Sequence, residues 1–543
     1  MTHSPDRRPA DAEQNHGTTP DPGPPAVGTT SDPAATATTT AATPTTAPAP
    51  TAVGGITPAT AVVDTDTDAG VGVGVGVGVG TGTGTGTTGA NATDPPHDGT
   101  PRGKRAARRR HDREILALAV PAFGALVAEP LFLLTDSAMI GHLGTPQLAG
   151  LGVAAALLAT GVNIFVFLAY ATTAAVARRV GAGDLAAAIR QGMDGIWLAL
   201  LLGVATAAVV IPAAPALIEA FGASATAAPH GITYLRISAL GIPPMLVVLA
   251  AIGVLRGLQD TRTPLYVAVG GFTANAGLNA LLIYGFGWGV AGSAWGSVIA
   301  QCGMAAVYLY VVVRGARRHG ASLRPDPAGI RACAKAGTPL LVRTLSLRAV
   351  LLIATAVAAR FGDVSIAAHQ ITLTLWTLLA FALDAIAIAG QAIIGRYLGG
   401  GDAAGARRVC RRMVQWGIGS GLVLGALIAA SSPLILRVFT SDPEVRDQLL
   451  VLLLIVAVTQ PVAGVVFVLD GVLMGAGDGP YLAWAMLLTL IVFAPVALLV
   501  PVLGGGVGAL WWTIAGLMMG TRMLTLWLRT RTGRWLVTGA VRA

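Results

Sequence analysis

From about residue 114 to 531 the chain alternates long apolar stretches with short polar turns. About twelve of these stretches reach the ~20 residues a bilayer-spanning helix needs. In lipid every backbone polar group must be bonded internally, so the stretches are expected to be helices. They lack the alternating pattern of barrel strands. The pattern predicts an all-α polytopic membrane protein of about twelve transmembrane helices. Residues 1 to about 100 depart from it: they are rich in Thr, Ala, Pro and Gly and include GVGVGVGVGVGTGTGTGT. Such a segment cannot bury enough apolar surface to offset its ordering entropy, and is expected to be disordered. It lacks the compact apolar core of a signal peptide. A true start further downstream is the alternative.

The membrane part is written twice. Pro121 and Pro339 are separated by a length of chain that recurs between Gly144 and Gly362, Asp184 and Asp402, Pro243 and Pro461, and Asp260 and Asp478. Near the end this offset shortens slightly, pairing Pro264 with Pro480 and Trp295 with Trp511. A sustained offset across unlike residue types implies one helical bundle duplicated and fused, a usual build of secondary transporters. The expected division is a tail over 1–113, an N-lobe of six helices over 114–320 and a C-lobe of six over 321–543.

Charge adds direction. Only 12% of residues are charged, against about 25% in soluble domains. The net charge of +9 sits largely in loops. RGKRAARRRHDR abuts the first span, and Arg178, Arg179 and Arg190 follow the second. Further clusters follow spans 4, 6 and 8, whereas GHLGTPQ, YGFGWG and PVLGGG on the opposite side carry none. By the positive-inside rule both termini are cytoplasmic and the span number is even. The two halves are therefore parallel repeats about an axis along the membrane normal. The basic run is topogenic on this reading, and no nucleic-acid partner is expected. Cys302, Cys333 and Cys410 have neither metal-site nor disulfide spacing.

Polar residues inside spans are functional candidates, because each costs about 2.5–3.5 kcal/mol to place there when charged. Glu129 and Asp136 lie seven positions apart in the first span, about 20° short of two full turns, and so share a face. Their repeat positions are Leu347 and Ala354, so the bundle does not need them. A helix-end carboxylate among headgroups is the alternative for each. Asn275 and Asn279 share a face of span 5, with Ser297 on span 6. Carboxamides can share a proton or hold a cation with a carboxylate; interhelical hydrogen bonding is the structural alternative. In span 8, Gln370, Thr377, Asp384 and Gln391 recur every seven residues, a polar stripe expected to line a cavity or face other helices. His369 is read as hydrogen-bonded structure, Arg343 and Arg348 as snorkelling or neutralising a carboxylate, and Asp470 as interfacial.

These segments resemble the multidrug and toxic compound extrusion (MATE) transporters, in particular their DinF-like branch. The resemblance covers about residues 114–530. It rests on LLTDSAMIGHLG, NAGLNALLIYGFGWGVAGSAWGSVIAQ and IAAHQITLTLWTLLAFALDAIAIAGQAIIGRYLGGGD in this order. It implies two six-helix lobes around a central cleft and cation-driven export by alternating access. It also implies that an acid of the first helix, here Asp136, is served by polar positions of helices 5 and 6, here Asn275, Asn279 and Ser297. Some members carry a second Asp where this chain has Asn279 and a Thr where it has Ser297, and fewer carboxylates favour protons over Na+. The expected substrates are cationic amphiphiles held in an apolar cleft near Asp384, Gln391, Thr377 and Gln370. No cofactor or metal is expected beyond the coupling H+ or Na+, and a monomer in the cell membrane is expected. A lipid-linked precursor flippase is the related alternative. A membrane enzyme has no HExxH, no paired His/Asp cluster and no Ser/Lys dyad to support it, and a non-transporting scaffold would leave Asp136 and Asp384 freely replaceable.

Overall fold

The computed structural model describes residues 101–141 and 144–542; at some positions of the first helix, including 129 and 131–138, it describes the backbone alone. The disordered tail expected over 1–100 lies outside the described residues. The rest is helical. The first lobe comprises α1 (Pro101–Gly141), α2 (Thr145–Ile164) with α3 (Phe167–Gly181), α4 (Leu185–Ala220), α5 (Ala228–Ala239) with α6 (Ile242–Gly257), α7 (Arg262–Ala280) and α8 (Gly289–Arg318). The second comprises α9 (Pro327–Ala358), α10 (Asp363–Gly399), α11 (Ala403–Phe439), α12 (Pro443–Gly475), α13 (Gly479–Leu499), α14 (Val507–Trp511) and α15 (Met519–Thr532). Among the described residues nine helical segments are long and apolar enough to cross a membrane, and α5 with α6, bent by 50°, makes a tenth. With α1 and the α14–α15 segment at the two ends, the architecture is the expected twelve-segment, two-lobe bundle.

The duplication extends to backbone geometry. Asp184 and Asp402 cap α4 and α11, each accepting a hydrogen bond from a backbone N–H three residues on, Ala187 at 2.9 Å and Gly405 at 2.6 Å. The glycines before them, Gly183 and Gly401, have φ of 81° and 82°, a left-handed conformation that a side chain would strain. Gly203 packs on Pro243, and its counterpart Gly421 packs on Pro461; a Cβ at either would press into the facing backbone. These contacts seat α4 on α6 and α11 on α12. The bend between α5 and α6 falls just before Pro243 and Pro244. α1 and α9 continue through Pro121 and Pro339.

Both ends of the described chain lie at one end of the bundle, as an even number of spans requires. Arg396, near the end of α10, bonds Glu114 at the start of α1, and the Leu398 carbonyl accepts from the N–H of Gly539. The arginines following spans 2 and 8 lie here too, so this is the arginine-rich end.

Candidate functional site

The first-lobe candidates belong to α1, α7 and α8, three helices that pack on one another. α1 and α7 run side by side: Gly124 abuts Leu265 near one end, and the Tyr284 hydroxyl donates to the Met139 carbonyl at 2.7 Å near the other. These two contacts bring the backbone of residue 136 to about the level of Asn279. The side chains of Glu129 and Asp136 lie outside the described residues. Asn275 is buried and its amide donates to the Ser297 hydroxyl at 3.2 Å, while its carbonyl oxygen has no partner among the described residues. Asn279 is fully buried and rests on Gly296, where a Cβ would overlap its side-chain oxygen. Ser293, also fully buried, lies one turn before Ser297. The sequence reading passed over Gly296 and Ser293; the signal is the i, i+3 and i, i+4 spacing of Ser293 to Gly296 and Ser297, which puts them on one face of α8. Directly after Asn279 the helix widens into a π turn over Leu281–Gly285, an irregularity frequent at functional sites.

The polar stripe of α10 divides in two. Gln370 and Thr377, both exposed, line an open surface groove of ≈ 440 Å³ with Phe439 of α11. Deeper, Asp384 and Gln391 meet the first lobe through one residue. The Tyr170 hydroxyl donates to Asp384 Oδ2 at 3.4 Å, and Gln391 Nε2 donates to the Tyr170 carbonyl at 2.6 Å. Buried Arg256 stands close enough to Tyr170 and Asp384 to interact electrostatically.

Asp470, near the arginine-rich end of α12, is 4% exposed and packed between helices. It accepts hydrogen bonds from Arg343 at 2.6 Å and from Arg522. Two guanidiniums supply the opposite charge and the donors that make a buried carboxylate tolerable. Arg343 thus neutralises a carboxylate, one of its two expected roles, whereas Arg348 is exposed. Arg522 was not singled out in the sequence because it lies 52 residues from Asp470 amid other arginines of the C-terminal span. His369 is fully buried, with Nε2 3.2 Å from the Thr355 hydroxyl and its ring 5.7 Å from that of Trp511. Since the Thr355 hydroxyl donates to the Leu351 carbonyl, His369 Nε2 carries the proton and donates to Thr355. That is the hydrogen-bonded structural role expected of it.

At the arginine-rich end the lobes clasp each other through repeat-related residues. Arg178 of α3 reaches across to the turn after α12, donating to the Ala476 carbonyl at 3.2 Å. Its counterpart in the second copy, Arg396 of α10, reaches across to the turn after α6, donating to Gln259 at 2.7 Å. Asp112 of α1 holds Arg412 and Trp416 of α11 at 2.6 and 2.8 Å. On the other side of the bundle, Arg190 of α4 pairs with Asp326 before α9 at 2.8 Å.

Duplicated helical lobes joined around buried polar groups are the usual build of a two-lobe membrane transporter. Comparison with known proteins makes this specific. The MatE family model matches residues 121–281 and 339–499, two segments displaced by the same offset as the internal repeat. This chain belongs to the MATE family. It is similar to "Protein DETOXIFICATION 44, chloroplastic" of Arabidopsis thaliana, with 33% identity covering 78% of this chain and 83% of that one. It is also similar to the DNA damage-inducible protein F of Escherichia coli, the DinF-like relative expected, with 29% identity covering 78% and 94%. The fold matches the bent form of the Vibrio cholerae MATE transporter VcmN with a TM-score of 0.72 at 21% identity, covering 79% of this chain and 99% of that one.

Proposed function

We propose that this chain exports organic cations and drugs from the cytoplasm by antiport with protons, alternating access between its two lobes. The observation that carries the reading is the placement of the reciprocal clasp. Arg178 to Ala476 and Arg396 to Gln259 tie the lobes at the arginine-rich, cytoplasmic end. A bundle clasped between its lobes at one end is one state of an alternating cycle; the groove at Gln370 and Thr377 is an open one between α10 and α11 of the second lobe.

Asp136 is the proposed proton carrier. Its motivation is an acid without a repeat counterpart, its backbone about level with buried Asn279 and one turn from the Asn275–Ser297 pair. The Asn275 oxygen, which has no partner among the described residues, would be available to share a proton or cation with a carboxylate. Glu129 would assist one turn-pair below. Facing outwards, Asp136 takes a proton, loses its charge, and α1 repacks; facing inwards, it releases the proton and the substrate binds. Asp384, Gln391, Thr377 and Gln370 are the proposed polar contacts of the substrate cleft, with Asp384 supplying charge for a cation. The chain would work as a monomer in the cell membrane with both termini cytoplasmic.

The test uses everted vesicles expressing the chain, a panel of cationic dyes and antibiotics, and imposed ΔpH or Na+ gradients in turn. The expected result is ΔpH-driven export that Asp136→Asn abolishes while the protein stays folded. Full export by that variant would sink the proton assignment; Na+-driven export alone would replace the ion.

A further inference from the structure

The segment after α15 has no counterpart in the first lobe, where the corresponding stretch is the connection between lobes. It is not a loose end. α15 stops at Gly533, whose φ of 69° turns the chain back, and Trp535 is then buried to 1% exposure with its indole N–H on the Thr530 carbonyl at 3.1 Å. Beyond it the backbone crosses from lobe to lobe. The Val537 carbonyl accepts from Arg178 of the first lobe at 2.8 Å. The Gly539 N–H donates to the Leu398 carbonyl of the second lobe at 3.0 Å. Arg542 then bonds the Ala476 carbonyl at 3.1 Å and pairs with Asp478 at 3.0 Å.

Arg178 is the link. It is 3% exposed, and its two terminal nitrogens are held by carbonyls of the second lobe and of the C-terminal segment. If the lobes part at this end, Arg178 leaves with the first lobe, and both acceptors stay behind with the second. A buried guanidinium deprived of its acceptors is costly until water reaches it.

We propose that residues 534–542 form a strap that locks the cytoplasmic face shut and must release Arg178 each time that face opens. The proposal rests on the alternating-access reading above. It makes residues 534–542 part of the gate, so that their attachment sets how much of the protein faces inwards at rest.

The test is an inter-lobe distance measurement that does not depend on transport. Spectroscopic labels are placed at two exposed positions, Ala182 just after α3 and Ala404 in the first turn of α11. The full chain is compared with a chain truncated after Gly533 and with Arg178→Lys, whose single ammonium cannot hold two carbonyls in a fork. Each is followed in liposomes with and without a pH gradient. The expected result is a rise of about fivefold or more in the long-distance population of both altered chains, the scale of one lost net hydrogen bond. Because Arg178 also holds the Ala476 carbonyl outside the strap, Arg542→Ala, which removes only the strap's own anchor, covers the case in which the truncated chain fails to fold, with the same rise expected. An unchanged ratio of short to long distances in the altered chains would overturn the strap alone. A single short distance in every chain, with and without the gradient, would overturn the alternating-access reading beneath it.

Discussion

Gly181 and Gly399, equivalent positions of the two repeats, each press against the backbone of the opposite lobe: Gly181 on the carbonyl of Arg396, and Gly399 on the carbonyl of Arg178. Since Arg178 and Arg396 are themselves equivalent, the contact is self-complementary about the pseudo-twofold axis, as in an isologous dimer interface. The same two arginines send their side chains across to the far lobe. Backbone contact and side-chain clasp therefore open or close together.

A methyl group at either glycine would overlap that carbonyl, and backbone cannot step aside as a side chain does. Gly181→Ala and Gly399→Ala should each lower stability in detergent by about 1–3 kcal/mol, the usual cost of overpacking. The double variant should be less damaging than the sum, because the first substitution already separates the helices. Strict additivity in denaturation curves would show that the two contacts do not act as one.

Asp470 should be worth more to folding than its neighbours suggest. Asp470→Asn leaves Arg343 and Arg522 buried without their counter-charge, and a loss of about 3–5 kcal/mol is expected. Replacing all three with apolar residues of similar size should recover most of it. Thermal melting of the single and triple variants distinguishes this from a transport role, which the triple variant would not restore.

Tyr170 and Asp384 can be separated by function. Tyr170→Phe removes the donor at 3.4 Å and leaves the carboxylate in place. Asp384→Asn removes the charge proposed to attract the substrate. Cation export should fall at least about tenfold in Asp384→Asn and no more than about fivefold in Tyr170→Phe, since that bond is long and its net worth is about 1 kcal/mol or below. Equal losses in initial-rate measurements would point to the inter-lobe bond rather than the charge.

The Asp112–Arg412 contact has a defined pH range. Arg412's hydrogen bond, reinforced by Trp416 and by charge, holds the Asp112 carboxyl below the usual carboxylate range against a smaller opposing effect of burial. A folded value below the unfolded one means that the contribution is complete above about pH 5 and is lost as pH falls through the lowered value. The effect of Asp112→Ala on inter-lobe distance should therefore be constant between about pH 5 and 8. Any inflection in that range, followed with the same labels, would assign it to another group.

Much of the architecture was legible in the residues because it repeats. A duplicated Asp or Gly marks a cap or turn that the backbone needs twice, and Asp184 with Asp402 and Gly183 with Gly401 perform the same local task in each lobe. The α10 stripe was legible as a seven-residue period, but not its division. Periodicity reports which face a residue is on, and not whether that face meets an open groove, as at Gln370, or another lobe, as at Gln391. The partners of Asp470 were illegible for a related reason: nearness to a helix end suggests headgroups, and only adjacency to distant helices supplies its two counter-charges.

By itself the sequence determined the helical class, the two lobes, the family and the unmatched acids Glu129, Asp136 and Asp384. All of these follow from local hydropathy, from one chain offset or from motifs read in order. Only the tertiary structure decided what the polar groups touch. Arg178 meeting Val537 and Arg522 meeting Asp470 depend on which helices end up adjacent, 359 and 52 residues apart in the chain. Hydropathy determines that a segment enters the membrane; it is packing, summed over every lobe and turn, that selects the partner each buried charge finds there.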